Sequence, residues 1–191
     1  MSTPSSTETQ LLDVTQALIQ ERGFNAISYK DVAEAVGIRK ASIHYHFPAK
    51  TDLGLALMKR YRSELDLALD QLDQKHSSAK ARLRGFIALY RSTLDKEAIC
   101  LCGSLAADLR TLPEEMQAEV AAYLDRSAAW VASTLRAGVK AGEFELTGSA
   151  PSLGKTLVAG LQGALLMARA CGETAAALQD VERNFLNHLN T

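Results

Sequence analysis

Cysteine is scarce in this 191-residue chain: three residues, Cys100, Cys102 and Cys171, an odd number that cannot close into a set of intrachain disulfides. A reducing compartment is therefore the default. Long apolar runs are missing too. The longest uncharged one, Thr156 to Ala168, has 13 residues against the ~20 that a bilayer-spanning helix needs. The opening residues, MSTPSSTETQ, have neither the basic start nor the apolar stretch of a secretory signal. These absences exclude secreted and membrane-spanning classes and lead to the expectation of a cytoplasmic protein with no membrane partner. No stretch alternates apolar and polar residues as a half-buried strand does, and no internal repeat is evident. No HExxH, glycine-rich phosphate loop or Gly-x-Ser-x-Gly elbow occurs, so an enzyme is not expected. His44 and His46 are two apart and would point to different faces of a helix, while His76 and His188 are isolated. Cys-x-Cys is a poor zinc chelate, and Cys100, Cys102 and Cys171 have no evident fourth ligand. Neither a metal nor a cofactor is expected.

What the chain does have is apolar content and helical periodicity. A hydrophobic fraction of 47% supplies a sizeable core and excludes a disordered chain, and the length suits one domain or two small ones. Leu11, Val14 and Leu18 recur at helical spacing before Gly23. A stripe of Leu53, Leu57, Tyr61, Leu65, Leu69 and Leu72 predicts a helix about 30 Å long, enough to connect two modules. Gln74–Ser78 reads as a connection, and Leu83, Phe86, Ile87, Tyr90 and Leu94 as the next helix. A short helix follows from the cysteines to about Leu109. A long one runs from Glu114 to about Ala141, with Pro113 where a first turn tolerates it. The last two cover Leu153–Ala170 and Leu178, Val181, Phe185 and Leu189. The fold class is all-α.

Net charge is only -1, but it is unevenly spread. Residues 28–62 hold seven basic side chains against three acidic ones, whereas 66–191 hold 13 basic and 15 acidic. A basic module on a mildly acidic body suggests a polyanionic partner near the N-terminus.

That module contains ISYKDVAEAVGIRKASIHYHF, residues 27–47. Ser28 can cap a helix beginning at Tyr29, and Asp31 suits its positive end. Val32 and Val36 share a face, and Ala33 is small enough for a second helix to cross closely. Gly37 can turn left-handed, Ile38 plugs the corner, and Ile43 anchors the second helix. This is a helix-turn-helix pattern, whose second helix enters the major groove N-terminal end first. Lys40, Ser42, His44 and Tyr45 remain on the outer face, suited to base edges and phosphates, with His46 and Lys50 following.

The order Gly37-Ile38, Lys40, Ser42-Ile43, His44-Tyr45-His46-Phe47 and Lys50 resembles the TetR/AcrR family of transcriptional repressors. The resemblance covers about residues 8–65. It implies a DNA-binding domain over 5–65 with the helix-turn-helix at about 28–47, a long fourth helix as connector, and a C-terminal ligand-binding and dimerisation bundle over 66–191. It also implies that Lys30, Arg39, Lys40, Ser42, His44, Tyr45, His46 and Lys50 face double-stranded DNA. Three positions depart from the family pattern: Arg39 and Ala49 where capping residues are usual, and His44 where a tyrosine is usual.

The implied function is a repressor released from a palindromic operator by a small molecule or by an electrophile or redox signal. The alternative is an architectural DNA-binding protein without an inducer. Phe86, Tyr90, Met116, Tyr123, Trp130 and Gln162 are the candidate pocket residues, with Arg91 and Arg126 as polar contacts if they point inward. Cys100 and Cys102, at a helix start where thiols are acidified, are candidate sensors; equally, they are small core residues. The small residues Ala159, Gly160, Gly163, Ala164 and Ala168, with Leu157, Leu161 and Leu165, make the last two helices the candidate homodimer face.

Overall fold

The computed structural model describes residues 6–94, 98–172 and 175–189. Among them are nine α-helices, one 3-10 turn and no strand. The helices are α1 (Ser6–Arg22), α2 (Tyr29–Val36), α3 (Lys40–His46), α4 (Lys50–Lys75), α5 (Ala79–Leu94), α6 (Leu101–Ala107), α7 (Glu114–Lys140), α8 (Ala150–Cys171) and α9 (Ala176–His188). The 3-10 turn is Leu109–Thr111. The all-α reading and the order of helices agree with the sequence periodicity. None of these helices is long and apolar enough to cross a membrane.

Local chemistry sets the helix starts. At α2 the Ser28 hydroxyl accepts from the amides of Lys30 and Asp31, while the Asp31 carboxylate accepts from the Ser28 amide at 2.7 Å and its hydroxyl at 2.5 Å. This reciprocal box satisfies amides that the first helical turn leaves without partners. The Ser28 hydroxyl and amide hold the Asp31 carboxyl below its usual range. At α4 the alanine in the capping position is compensated: Asp52 accepts the Ala49 amide at 2.8 Å. The helix consequently begins at Lys50, three residues ahead of its apolar stripe.

The chain divides into two compact units. The first takes the residues up to Ser63 together with Leu101–Ala121, and the second takes Glu64–Cys100 and the residues from Ala122 onward. The boundary expected near residue 65 is thus crossed again later in the chain. The segment Leu101–Ala121 joins the N-terminal helices because α6 packs on α1, where the buried Ser104 hydroxyl donates to the Ile19 carbonyl at 2.9 Å. The core of this unit includes Leu11, Ile19, Val32, Ile43, Leu57, Leu101 and Leu105.

In the second unit α8 packs against α9, and both pack against α5. Its core includes Leu83, Phe86, Ile87, Val131, Leu135, Leu157 and Leu161. Glu143, in the loop after α7, accepts the amides of Ala79 and Lys80 at 2.7 and 3.1 Å and so caps α5 from a distant part of the chain. Where α8 crosses α7, Gly154 leaves no room: a Cβ there would lie 2.5 Å from the Ala128 carbonyl oxygen.

Two stability predictions follow from these contacts. Gly154→Ala forces backbone apart rather than a flexible side chain, and should cost about 1–3 kcal/mol in chemical denaturation. Ser28→Ala should cost about 1 kcal/mol. The Asp31 half of the box has a depressed carboxyl range, so its contribution is present above the ordinary carboxylate range and lost as pH falls through the depressed one. A double-mutant cycle with Asp31→Asn should therefore show coupling at pH 7 that vanishes in strong acid.

Candidate DNA interface

The turn between α2 and α3 rests on Gly37, which ends α2 at φ +78 and donates to the Ala33 carbonyl at 2.9 Å. A Cβ at Gly37 would meet nothing within 4 Å, so the left-handed backbone alone, not lack of space, favours glycine there. Val32, Ala33, Ile43 and Phe47 are buried. Ile38, expected as a corner plug, is only half-buried. α3 begins at Lys40, and Arg39 in the capping position supplies no side-chain cap, as the sequence implied. Lys30, Arg39, Lys40, Ser42, His44 and Tyr45 are exposed, Tyr45 to 84%, while His46 and Lys50 are half-buried.

Exposure does not make these residues equivalent. Lys30 lies 3.7 Å from Glu34 on its own helix. The His46 ring meets Tyr45 edge-on at 5.2 Å. His44 is anchored: its Nδ1 is 3.1 Å from the Pro48 carbonyl and its ring meets Tyr29 edge-on at 4.8 Å. Tyr29 in turn donates its hydroxyl to the Phe47 carbonyl at 2.8 Å. Burial first, and the Asp52 carboxylate second, push the Tyr29 phenol up to about 12.

Lys50 is engaged within its own unit. Its Nζ donates to the Phe24 carbonyl at 2.5 Å and sits 4.3 Å from the centre of the Phe24 ring. Burial lowers its pKa, against the opposing pull of Asp108 and Asp31. In this arrangement the ammonium braces the protein, because a carbonyl and an aromatic face stand where its stem leads.

Two features escaped the sequence reading. Thr7, at the start of α1, lines a concavity of about 510 Å³ with Ile38, Ala41, Ser42, Tyr45 and His46. Nothing in the spacing of Thr7 signals this, because the contact is made across the fold. The α1–α2 loop is also clamped by the segment after α6: Asp108 accepts the Asn25 amide at 3.3 Å, and the Asn25 side chain donates to Thr111 at 2.8 Å.

Three of the candidate pocket residues form one aromatic cluster. Phe86 stacks on Trp130 with centroids 5.5 Å apart and meets Tyr90 edge-on at 5.6 Å. All three are buried, and the Trp130 indole donates to Asp73 at 3.0 Å. Tyr123 is buried in the same unit. Met116 belongs to the other unit, where its Cε would lie 2.8 Å from a Cβ at Gly54. Arg91 and Arg126 are paired with Glu182 and Asp66, each at 2.7 Å, and are not available as inward contacts. The Gln162 side-chain nitrogen is buried without a hydrogen-bond partner. Neither these aromatics nor Gln162 line the concavity between α8 and α9, the one beside Arg136 and Lys155, or the one beside Lys80 and Arg84. Cys100 and Cys102 are 3% and 0% exposed, Cys171 is exposed, and none forms a disulfide. Among the described residues no group of three or more His, Cys, Asp or Glu side chains is placed to hold a metal ion.

Comparison with known proteins agrees with this geometry. The profile of bacterial regulatory proteins of the tetR family matches residues 11–57, and that of the tetracyclin repressor-like C-terminal domain matches residues 79–184. The transcriptional regulator AcuR of Cereibacter sphaeroides is 26% identical over 155 residues, covering 79% of this chain and 71% of that protein. A TetR-family regulator from Agrobacterium tumefaciens superposes with a TM-score of 0.93 at 32% identity, over 99% of this chain and 100% of the other. A TetR regulator from Legionella pneumophila does so at 0.88, also 32% identical, over 99% and 100%. The chain belongs to the TetR family of transcriptional regulators, with an N-terminal DNA-binding helix-turn-helix and a C-terminal helical domain.

Proposed function

We propose that this chain is a cytoplasmic, homodimeric repressor that reads a palindromic operator through α3 and releases it when a small molecule binds the second unit. The observation that carries the reading is the division of α3 into two faces. Ile43 is fully buried while Lys40, Ser42 and Tyr45 stand exposed beside it, so donors and an aromatic ring are offered to a groove on a rigid helix. Lys30, Arg39 and His46 flank that face. One such helix spans only a few base pairs, and two are needed a helical turn or more apart.

The face for the second copy is supported by a groove of about 570 Å³ between α8 and α9, lined by Gly160, Gly163, Met167, Val181 and Phe185 among others. Leu166 and Met167 are large apolar residues exposed to 49% and 59%. Leu161 and Leu165, which the sequence placed on this face, are 0% and 1% exposed and belong to the core of the subunit. The dimer is therefore tested at Leu166 and Met167. Gln162 is the polar candidate for the effector, since its unpartnered amide nitrogen gains an acceptor at no desolvation cost. The buried thiols favour a packing role for Cys100 and Cys102 over direct sensing.

The experiment is operator selection from a random-duplex library, followed by anisotropy titration on the selected and scrambled duplexes. Tyr45→Ala and Lys40→Ala should weaken operator binding about tenfold or more and blur its preference, by ~1–3 kcal/mol per lost contact. Equal wild-type affinity for both duplexes would replace the repressor with the architectural reading. In sedimentation, wild type should run as a dimer at micromolar concentration and Met167→Glu as a folded monomer. A wild-type monomer would remove the dimer from the proposal.

A further inference from the structure

His44 occupies the last turn of α3 with one edge of its ring already committed. A carbonyl oxygen can only accept, so the 3.1 Å contact between Nδ1 and the Pro48 carbonyl requires a proton on Nδ1. The edge-on Tyr29 ring restricts rotation on the other side, and the Tyr29 hydroxyl is occupied by the Phe47 carbonyl. The imidazole cannot exchange its two nitrogens without giving up the Pro48 bond. Its remaining nitrogen, Nε2, belongs to an exposed residue and, in the neutral ring, is a bare acceptor.

Duplex DNA answers such an atom mostly with other acceptors. Half to two-thirds of protein–DNA hydrogen bonds go to phosphate and sugar oxygens. Base edges are met mainly by the N-terminal residues of a recognition helix, so backbone contacts weigh more in its last turn. A bare Nε2 facing a phosphate repels it, whereas a protonated one donates a charge-assisted bond. The C-terminal end of a helix also favours a cation.

We propose that His44 is a proton-linked phosphate contact, held by Pro48 through Nδ1 and taking up its second proton at Nε2 when the duplex docks. This rests on the DNA-binding reading above and adds a pH dependence to it. Tyr29 from α2 packs against the ring, and Tyr29 in turn feels the charge of Asp52 in the first turn of α4. Lys40 lies one turn earlier on α3, and Lys50 is turned to the Phe24 carbonyl. Histidine is the side-chain type whose ordinary range falls between pH 5 and 8, and His46 is the second one on this face.

The sign follows from linkage. A bound phosphate favours the imidazolium, so the histidine range rises in the complex. The gain in affinity is full below the range of the free protein and disappears as pH rises through that of the complex. Between the two, affinity should fall by up to about tenfold per pH unit, the limit for one proton.

The test is the dissociation constant at fixed ionic strength from pH 5.5 to 8.5, for wild type, His44→Gln and His46→Gln, on selected and scrambled duplexes. Wild type and His46→Gln should share the slope on both duplexes, since a phosphate contact carries no sequence, and His44→Gln should lose most of it. Nitrogen-15 spectra of the DNA-free protein should show the neutral His44 ring protonated at Nδ1. A flat wild-type profile, a slope retained in His44→Gln, or a neutral ring protonated at Nε2 would each overturn the inference and leave DNA binding standing. Failure to bind either duplex at any pH would overturn both.

Discussion

Lys50 is a cation drawn into the protein, and its position organises the reading unit around the loop between α1 and α2. A buried ammonium is sustained only by partners that replace water; here they are the Phe24 carbonyl, the face of the Phe24 ring, and the field of Asp108 and Asp31. Because Lys50 is the first residue of α4, this contact fixes the start of that helix against the loop. The same loop is held from another direction by Asp108 and Thr111, which take the amide and side chain of Asn25. Two segments far apart in sequence thus converge on two adjacent loop residues, Phe24 and Asn25. Pro48, two residues before Lys50, is the acceptor that orients His44, so the placement of that exposed ring depends on where α4 begins.

The helix-turn-helix was legible because its requirements are local: a cap, a small crossing residue, a left-handed turn and an apolar anchor within twenty residues. Ser28, Ala33, Gly37 and Ile43 each do what their types suggest. Side-chain direction was not legible in the same way. Whether Lys50 reaches outward or inward depends on a carbonyl 26 residues earlier, and His44 looks free until the Pro48 carbonyl is placed beside it. The residue type selected both as contacts, but only the fold distinguishes a brace from a contact.

The second unit shows a related limit. Helical periodicity identified α8 as a helix with small residues and leucines, yet adjacent positions on a helix differ by about 100°. Leu165 is core and Leu166, one step on, is exposed. Composition alone therefore picked out leucines that the subunit itself buries. Phe86, Tyr90 and Trp130 follow the same rule: aromatic spacing along helices announces burial, and their rings pack against one another, stacked at Trp130 and edge-on at Tyr90.

The chain passes between its two units within α4, between Cys100 and Leu101, and within α7. Of these crossings, the one at Cys100 leads most directly to the α1–α2 loop, since α6 is tied to Ile19 through Ser104 and the residues after it hold Asn25. Displacing this segment would loosen the loop from one side while Lys50 still held it from the other. The two cysteines flank that crossing but are almost wholly buried, so a reagent reaches them only when the segment has already opened. With opening and closing fast, each 1.4 kcal/mol of opening free energy slows such a reaction about tenfold. Thiol chemistry here would follow the conformational change, whereas a ligand with a higher affinity for the opened state can drive it.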